Sequence, residues 1–259
     1  MTASQFVPPV YVPVAEARKL PGLRLVLSAG VPGPWGVAAK AMFDVKGIAY
    51  TPVAQKVADP NSELLEWTGH NNAPIAMYDN ERTRTGWAEI LFLAERLKPE
   101  PALIPASPEQ RALMLGLCQE ICGEQGLGWS ARLVLFGLQE QAGETGYTGL
   151  KARYSSGESL DQSLARVNAL VGLFERQMER QASAGSDYLI GDSLTALDIY
   201  WMAFSNLLDP MAPELCEMPD FYRQIGPFVA PHLAAPVPAI LLAHRDHIAK
   251  RHLALPLGC

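Results

Sequence analysis

Few residues in this chain are placed to do chemistry. Ser28 ends the apolar run Leu23-Arg24-Leu25-Val26-Leu27 and carries the one hydroxyl beside a turn built from Gly30, Pro32, Gly33 and Pro34. A hydroxyl can give an anion one hydrogen bond, worth about 1.5–3 kcal/mol when the partner is charged. Beyond the turn, Trp35-Gly36-Val37 opens a helical pattern. Its first backbone N–H groups are a natural place for an anion and add roughly 0.3–2 kcal/mol. The same Ser28 reads equally as an ordinary serine at a strand end. His70-Asn71-Asn72, just ahead of Pro74, could line a polar pocket or form a plain turn.

The other reactive side chains are less well placed. His244 and His247 share a helical face, with His252 further on, but no acidic or Cys partner completes a metal site. A solvated basic face with Arg245, Lys250 and Arg251 is the expectation there. Cys118 and Cys122 stand four apart on one helix and are expected to pack as small apolar groups rather than to sense redox state. Trp129, Phe136 and Tyr200 could face an apolar cleft or simply fill a core. No dinucleotide fingerprint, P-loop, H-E-x-x-H or G-x-S-x-G motif occurs.

The elements that must hold these residues fall into two styles. Residues 23–98 read as a small α/β unit: strand 23–28, helix 35–46, strand 48–53 and a short helix from Asp59 through Trp67. A third strand covers 74–78, a brief fourth 82–85, and a helix 87–97 follows. Pro52 favours a sheet edge. Residues 1–22 form a Pro-punctuated extension, expected as an irregular arm, and 99–108 a Pro-rich linker. From 109 to 259 the pattern is helical, with candidates at 109–126, 129–142, 159–183, 195–208 and 238–251, and a shorter one near 219–226. Residues 143–158 read as a loop.

Composition narrows the function classes. The chain has 259 residues, 49% hydrophobic and 19% charged, enough for a sizeable core and too apolar for disorder. Its formal net charge of −6 argues against nucleic acid and anionic membrane surfaces as main partners. No apolar run approaches the ~20 residues of a membrane span, and the first residues lack the basic segment of a signal peptide. Only four cysteines argue against a disulfide scaffold, so a cytoplasmic location is the expectation.

The order β-α-β-α-β-β-α, a Pro-rich linker and an all-helical remainder resemble the cytosolic glutathione transferases over about residues 23–251. Two local signals carry the likeness. Asn72-Ala73-Pro74-Ile75 resembles the cis-proline turn of thioredoxin-like domains, the alternative being a trans proline that starts an edge strand. Leu189-Ile190-Gly191-Asp192-Ser193-Leu194-Thr195-Ala196-Leu197-Asp198 resembles the buried helix start of the transferase helical domain. In it Thr195 and Asp198 form a capping box, flanked by Leu194 and Ile199 at hydrophobic-staple positions.

The resemblance implies a fold of α/β plus all-α class. A thioredoxin-like N-terminal domain would be followed by a helical glutathione-transferase C-terminal domain. It also implies glutathione as co-substrate, a small apolar electrophile as second substrate, and a homodimer. Ala73, between Asn72 and Pro74, would present its backbone to the cysteinyl part of glutathione. Lowering a thiol pKa from about 8.5 to about 6.5 takes about 2.7 kcal/mol of preference for the anion. Where the family carries a Ser, Cys or Tyr for this, the chain has Gly33, Trp35 and Ala29. That leaves Ser28 and the Trp35 helix start as the catalytic candidates. Where transferases carry Glu-Ser or Gln-Ser to grip a carboxylate, the chain has Gly86-Trp87, with Arg84 and Thr85 as possible substitutes. These departures keep two readings open: an atypical glutathione transferase, or a non-catalytic binding or scaffold module of the same fold. A glutathione-linked oxidoreductase would need a Cys near residues 33–36, where none stands.

Overall fold

The computed structural model describes residues 9–57, 59–144, 151–152, 154 and 157–258. The chain divides into two compact units. The first takes in the chain up to Leu103, with Ala212–Pro219 and the tail from Ala249 onward; the second holds Ile104–Met211 and Asp220–Ile248.

The first unit is built on β1 (Leu23–Ser28), β2 (Thr51–Gln55) and β3 (Ile75–Tyr78), in sheet order β2-β1-β3. β1 runs parallel to β2, from Arg24 opposite Thr51 to Ser28 opposite Gln55. It runs antiparallel to β3, from Leu23 opposite Tyr78 to Val26 opposite Ile75. A central strand covered on both faces must be apolar almost throughout, which the run Leu25-Val26-Leu27 satisfies. Side chains alternate between faces. Val26 joins Val53, Ile75 and Met77 in a cluster with Ala17 and Leu64. Ala17 belongs to α1 (Val14–Ala17) and Leu64 to α3 (Ser62–Thr68). Leu27 faces the other way, against Gly36 of α2 (Pro34–Val45), where an added Cβ would stand 3.5 Å from Leu27 Cδ2. α2 in turn packs on α4 (Trp87–Leu97).

Local chemistry sets the ends of these helices. Pro34 at the first turn of α2 has no N–H to leave unpaired. Gly69 closes α3 at φ 76, in the left-handed region that glycine tolerates. Lys46, just past α2, is fully buried and donates Nζ to Lys98 O and Pro101 O, both at 2.7 Å. Glu95 Oε1 lies 2.7 Å from the same ammonium. One cation thus ties the end of α2 to the chain that leaves α4.

Three expectations for this unit need correction. The fourth strand at 82–85 is reduced to a single bridge between Ala76 and Arg84. The second strand runs over Thr51–Gln55 rather than 48–53, because Ala49 is exposed while Val53 and Gln55 are buried. The N-terminal arm is not wholly irregular: Val14–Ala17 is a helical turn, and Val12 N–H bonds Pro52 C=O at 2.9 Å along the open edge of β2. Pro52 does lie in an edge strand, as its missing N–H requires.

The second unit is helical. α5 (Pro108–Cys122), α6 (Leu127–Gln141), α7 (Leu160–Ser183) and α8 (Ala196–Phe204) are joined by two short helices, α9 (Asp220–Arg223) and α10 (Ile225–Val229), and by α11 (Ala239–His252) as far as Ile248. α7 starts with a reciprocal capping box between Ser159 and Gln162. α8 is buried along its whole length and includes Tyr200, Trp201 and Phe204. Trp201 can be buried because its Nε1 donates to Leu241 C=O at 3.0 Å. The loop expected over 143–158 lies largely outside the described residues, and within it Lys151, Ala152 and Tyr154 are helical.

Candidate functional site

The sheet register brings the first unit's candidates together. Val26 of β1 pairs with Ile75, the first residue of β3, so the Ala73–Pro74 segment that leads into β3 enters from the C-terminal end of β1, where Ser28 stands. The Ala73–Pro74 peptide bond is cis, Pro74 is buried and Asn72 is exposed. The turn from β1 into α2, with Gly33 at its N-cap and Trp35 in its first turn, leaves from this same strand end. Arg84 lies opposite Ala76, so the chain from Thr85 to Trp87 returns toward the Pro74 end before α4 begins. In α/β sheets, ligands collect at the carboxyl ends of strands.

Ser28 is already engaged. Its Oγ donates to Gln55 Oε1 at 2.9 Å, and Gln55 Nε2 donates in turn to Lys56 C=O at 2.8 Å. A hydroxyl has one proton. Ser28 must therefore leave Gln55 before it can serve an outside anion. At the start of α2, Pro34 has no N–H and Val37 N–H bonds Gly33 C=O at 2.9 Å. Of the N–H groups expected to bind an anion across Trp35 to Val37, that of Val37 is therefore spent within the helix, and those of Trp35 and Gly36 come before it. A Cβ added at Gly33 would meet nothing within 4 Å, so the turn stands open beside them.

The start of α4 is filled from within. Glu89 Oε2 accepts from Gly86 N–H at 3.2 Å and from Thr85 N–H at 3.4 Å. Its Oε1 accepts from Arg82 Nη1 at 2.5 Å. The hydrogen bond from Arg82, and then those from the Gly86 and Thr85 backbone, outweigh burial and hold the Glu89 carboxyl below its ordinary value. This is half a capping box, since Gly86 has no side chain with which to answer. Arg84 is also committed: its Nη2 bonds Glu81 Oε2 at 2.6 Å, and Arg96 bonds the same carboxylate. The side chain named for gripping a carboxylate thus already holds one.

The helical unit corrects one expectation in part. Lys250 and Arg251 are exposed, but His244 and Arg245 are only 4% and 5% exposed, not part of a solvated face. The cause is a buried acceptor on another helix: Asp198 of the capping box lies 3.2 Å from His244 Nε2, and His244 Nδ1 lies 2.9 Å from Asp187 O. Asp198 itself accepts from Leu189 N–H, Thr195 N–H and Thr195 Oγ1, each at 2.8 Å. Cys118 and Cys122 are buried, and burial pushes both thiols up. Tyr200 and Phe136 are core residues, and burial raises the Tyr200 phenol in the same way. Trp129 Nε1 donates to Tyr154 C=O at 2.5 Å. Cys259 lies outside the described residues. Among the described residues no three His, Cys, Asp or Glu side chains are grouped to hold a metal ion, and no helix is long and apolar enough to cross a membrane.

No protein-family model and no curated protein matches the chain. Solved structures do. A glutathione transferase family member from Pseudomonas fluorescens, with two glutathione bound, superposes with a TM-score of 0.62 at 16% identity, covering 95% of this chain and 97% of its own. The chain has the glutathione transferase fold. Another glutathione S-transferase, from Methylobacterium radiotolerans in complex with glutathione sulfonate, gives a TM-score of 0.60 at 17% identity over 91% of this chain and 94% of its own. The beta-etherase LigF of a Sphingobium strain gives 0.55 at 19% identity over 87% and 99%.

Two residues of this transferase fold were not singled out from sequence. Gln55 holds Ser28, and finding it required the β2 register, which the apolar run Ile48-Ala49-Tyr50 disguised. Glu89 was legible in principle. Gly86 followed three positions later by Glu89 is the spacing of a capping box whose first member has lost its side chain.

Proposed function

We propose that the chain is a glutathione transferase-like enzyme that binds glutathione in its first unit and adds or transfers it to a small apolar electrophile. The observation that carries this reading is the meeting of Ser28, the α2 start and the Ala73–Pro74 turn at one end of the sheet. Ala73 would align the cysteinyl backbone of glutathione as an added strand segment. The Trp35 and Gly36 N–H groups would face the sulfur. Gly33 leaves room for the thiol beside them, and Asn72 stands exposed at the same turn. Thr85, Gly86, Trp87 and Arg84 would contact the rest of the tripeptide once Glu89 yields its place.

In this mechanism the chain stabilises thiolate mainly through the helix start. That supplies less than the about 2.7 kcal/mol needed for a two-unit fall in thiol pKa. Activation is therefore partial, and the bound thiol retains a pKa between its free value and neutrality. Spectroscopic titration of the thiol in the complex, paired with calorimetry and a chlorodinitrobenzene assay, tests this. Saturable binding, a lowered thiol pKa and measurable turnover support the enzyme.

A second reading, a binding or scaffold module without chemistry, is favoured by one observation: the Ser28 hydroxyl at the end of β1 is spent on Gln55. Binding with an unshifted thiol and no turnover would establish it. A homodimer and a cytoplasmic location go with the enzyme reading. Sedimentation at micromolar concentration tests the first, and fractionation of the source cells the second.

A further inference from the structure

We propose that Gln55 is a positioning residue that keeps the Ser28 proton turned away from a bound thiol, so that Ser28 meets the ligand as an acceptor and holds back thiolate formation. The inference rests on the glutathione reading above and names the residue that restrains that site. Ser28 and Gln55 stand opposite each other in the β1–β2 register. Ala29 N–H bonds Gln55 C=O at 3.0 Å, so the main chain fixes the pair.

The direction of the Ser28 proton follows from the backbone. A side-chain amide has a donor end and an acceptor end, and its partners decide which way round it sits. Gln55 Nε2 lies 2.8 Å from Lys56 C=O, which can only accept. The donor end therefore faces Lys56, the acceptor end faces Ser28, and Ser28 must donate across the 2.9 Å between them. Lys56 is itself clamped. Asn61 Oδ1 accepts from Lys56 N–H at 3.0 Å, and Asn61 Nδ2 donates to Lys56 C=O at 2.8 Å and to Asp59 C=O at 2.7 Å. Turning the Gln55 amide over would set its oxygen against the Lys56 oxygen with no proton between them. Turning the Ser28 proton outward would take a donor from Gln55, a side chain only 6% exposed, and an acceptor stripped of its partner in such surroundings is costly.

A serine oxygen whose proton is spent has only lone pairs left to offer. Lone pairs suit the S–H of a neutral thiol and repel a thiolate. The hydroxyl thus opposes the preference for the anion that the α2 start supplies. Removing the acceptor at position 55 frees the same hydroxyl to donate to the sulfur, in a hydrogen bond strengthened by the charge it meets.

The test begins with calorimetry of glutathione on the full native chain. Absence of binding would sink the glutathione reading and this inference with it. Given saturable binding, spectroscopic titration of the bound thiol decides the inference alone. Gln55→Leu should lower the thiol pKa by about one unit or more, which is about a tenfold larger thiolate fraction at neutral pH. Ser28→Ala should lower it by about half a unit, because an acceptor for the S–H is gone. The double variant should match Ser28→Ala alone, which a purely structural role of Gln55 would not produce. Gln55→Glu keeps an acceptor toward Ser28 and should not lower the thiol pKa. An unshifted thiol in Gln55→Leu, a full Gln55→Leu effect that survives in the double variant, or a fall in Gln55→Glu would overturn the proposal. If Gln55→Leu failed to fold, Ser28→Ala would decide: a fall supports the proposal, and an unchanged or raised thiol pKa overturns it.

Discussion

Glu89 Oε2 sits 3.2 Å from the backbone nitrogen of Gly86, so the first turn of α4 is capped by a carboxylate that the chain itself supplies. Arg82 holds the other oxygen of the same group. Any outside carboxylate seeking this helix start competes with Glu89. Glu89→Ala should therefore have two opposed effects. It should cost about 0.5–1 kcal/mol of stability, as loss of a cap does. It should also tighten glutathione binding about three- to tenfold, because the Thr85 and Gly86 N–H groups and Arg82 are released together. Denaturant unfolding and calorimetry read the two effects separately. Weaker binding in the variant would show that Glu89 supports the ligand rather than displacing it.

Acid should unfold the protein partly through such carboxylates. The Arg96 and Arg84 hydrogen bonds hold Glu81 below its usual 4.5, Arg82 does so for Glu89, and the Ser107 hydroxyl for Glu109. A carboxyl whose folded value is depressed stabilises the fold above its unfolded value. That stability is lost as pH falls through the folded value. The melting temperature should thus be level with respect to these groups above about pH 5 and fall below pH 4.5. Glu89→Gln should shallow that fall. A melting temperature flat from pH 6 to pH 3 would contradict it.

Ser28→Ala separates a catalytic hydroxyl from a structural one. Because the Ser28 proton is given to Gln55 at 2.9 Å, the variant should lose about 0.5–1.5 kcal/mol of stability. Its turnover with chlorodinitrobenzene should stay within about threefold of the native rate. A loss on the order of a hundredfold, with glutathione affinity kept, would mean that Ser28 swings from Gln55 to the sulfur.

The helical unit offers a sharper stability test. One oxygen of Asp198 accepts from Leu189 N–H and the other from both donors of Thr195. An amide in its place can serve only one side and would turn an NH₂ toward donors on the other. Asp198→Asn should cost at least about 2 kcal/mol in denaturant unfolding. It should also speed the reaction of Cys118, buried nearby, with thiol reagents. Unchanged stability would mean that the capping box is incidental to the fold.

Much of this architecture was legible because it is written locally. β1 carries the apolar run Leu25-Val26-Leu27, α4 is amphipathic from Trp87 to Leu97, and Thr195 and Asp198 are spaced as a capping box. What stayed hidden depends on which partners the polar side chains take. The segment 82–85 looks like a strand, but Arg82 and Arg84 turn to Glu89 and Glu81, and the segment keeps a single bridge to Ala76. His244 reads as polar surface until Asp198, on a different helix, meets it in the core. At the candidate site, the Ala73–Pro74 turn and the α2 start could be placed from their motifs. The commitment of Ser28 could not, because it follows from the β2 register, whereas Glu89 at the α4 start stands at capping-box spacing from Gly86 and was legible in principle.

The most direct measurement is a crystal structure of the full chain soaked with glutathione. The account predicts the cysteinyl N–H and C=O hydrogen-bonded to the Ala73 backbone, with the sulfur near the Trp35 and Gly36 N–H groups. Glutathione bound elsewhere, or an unchanged first unit at saturating ligand, would contradict it.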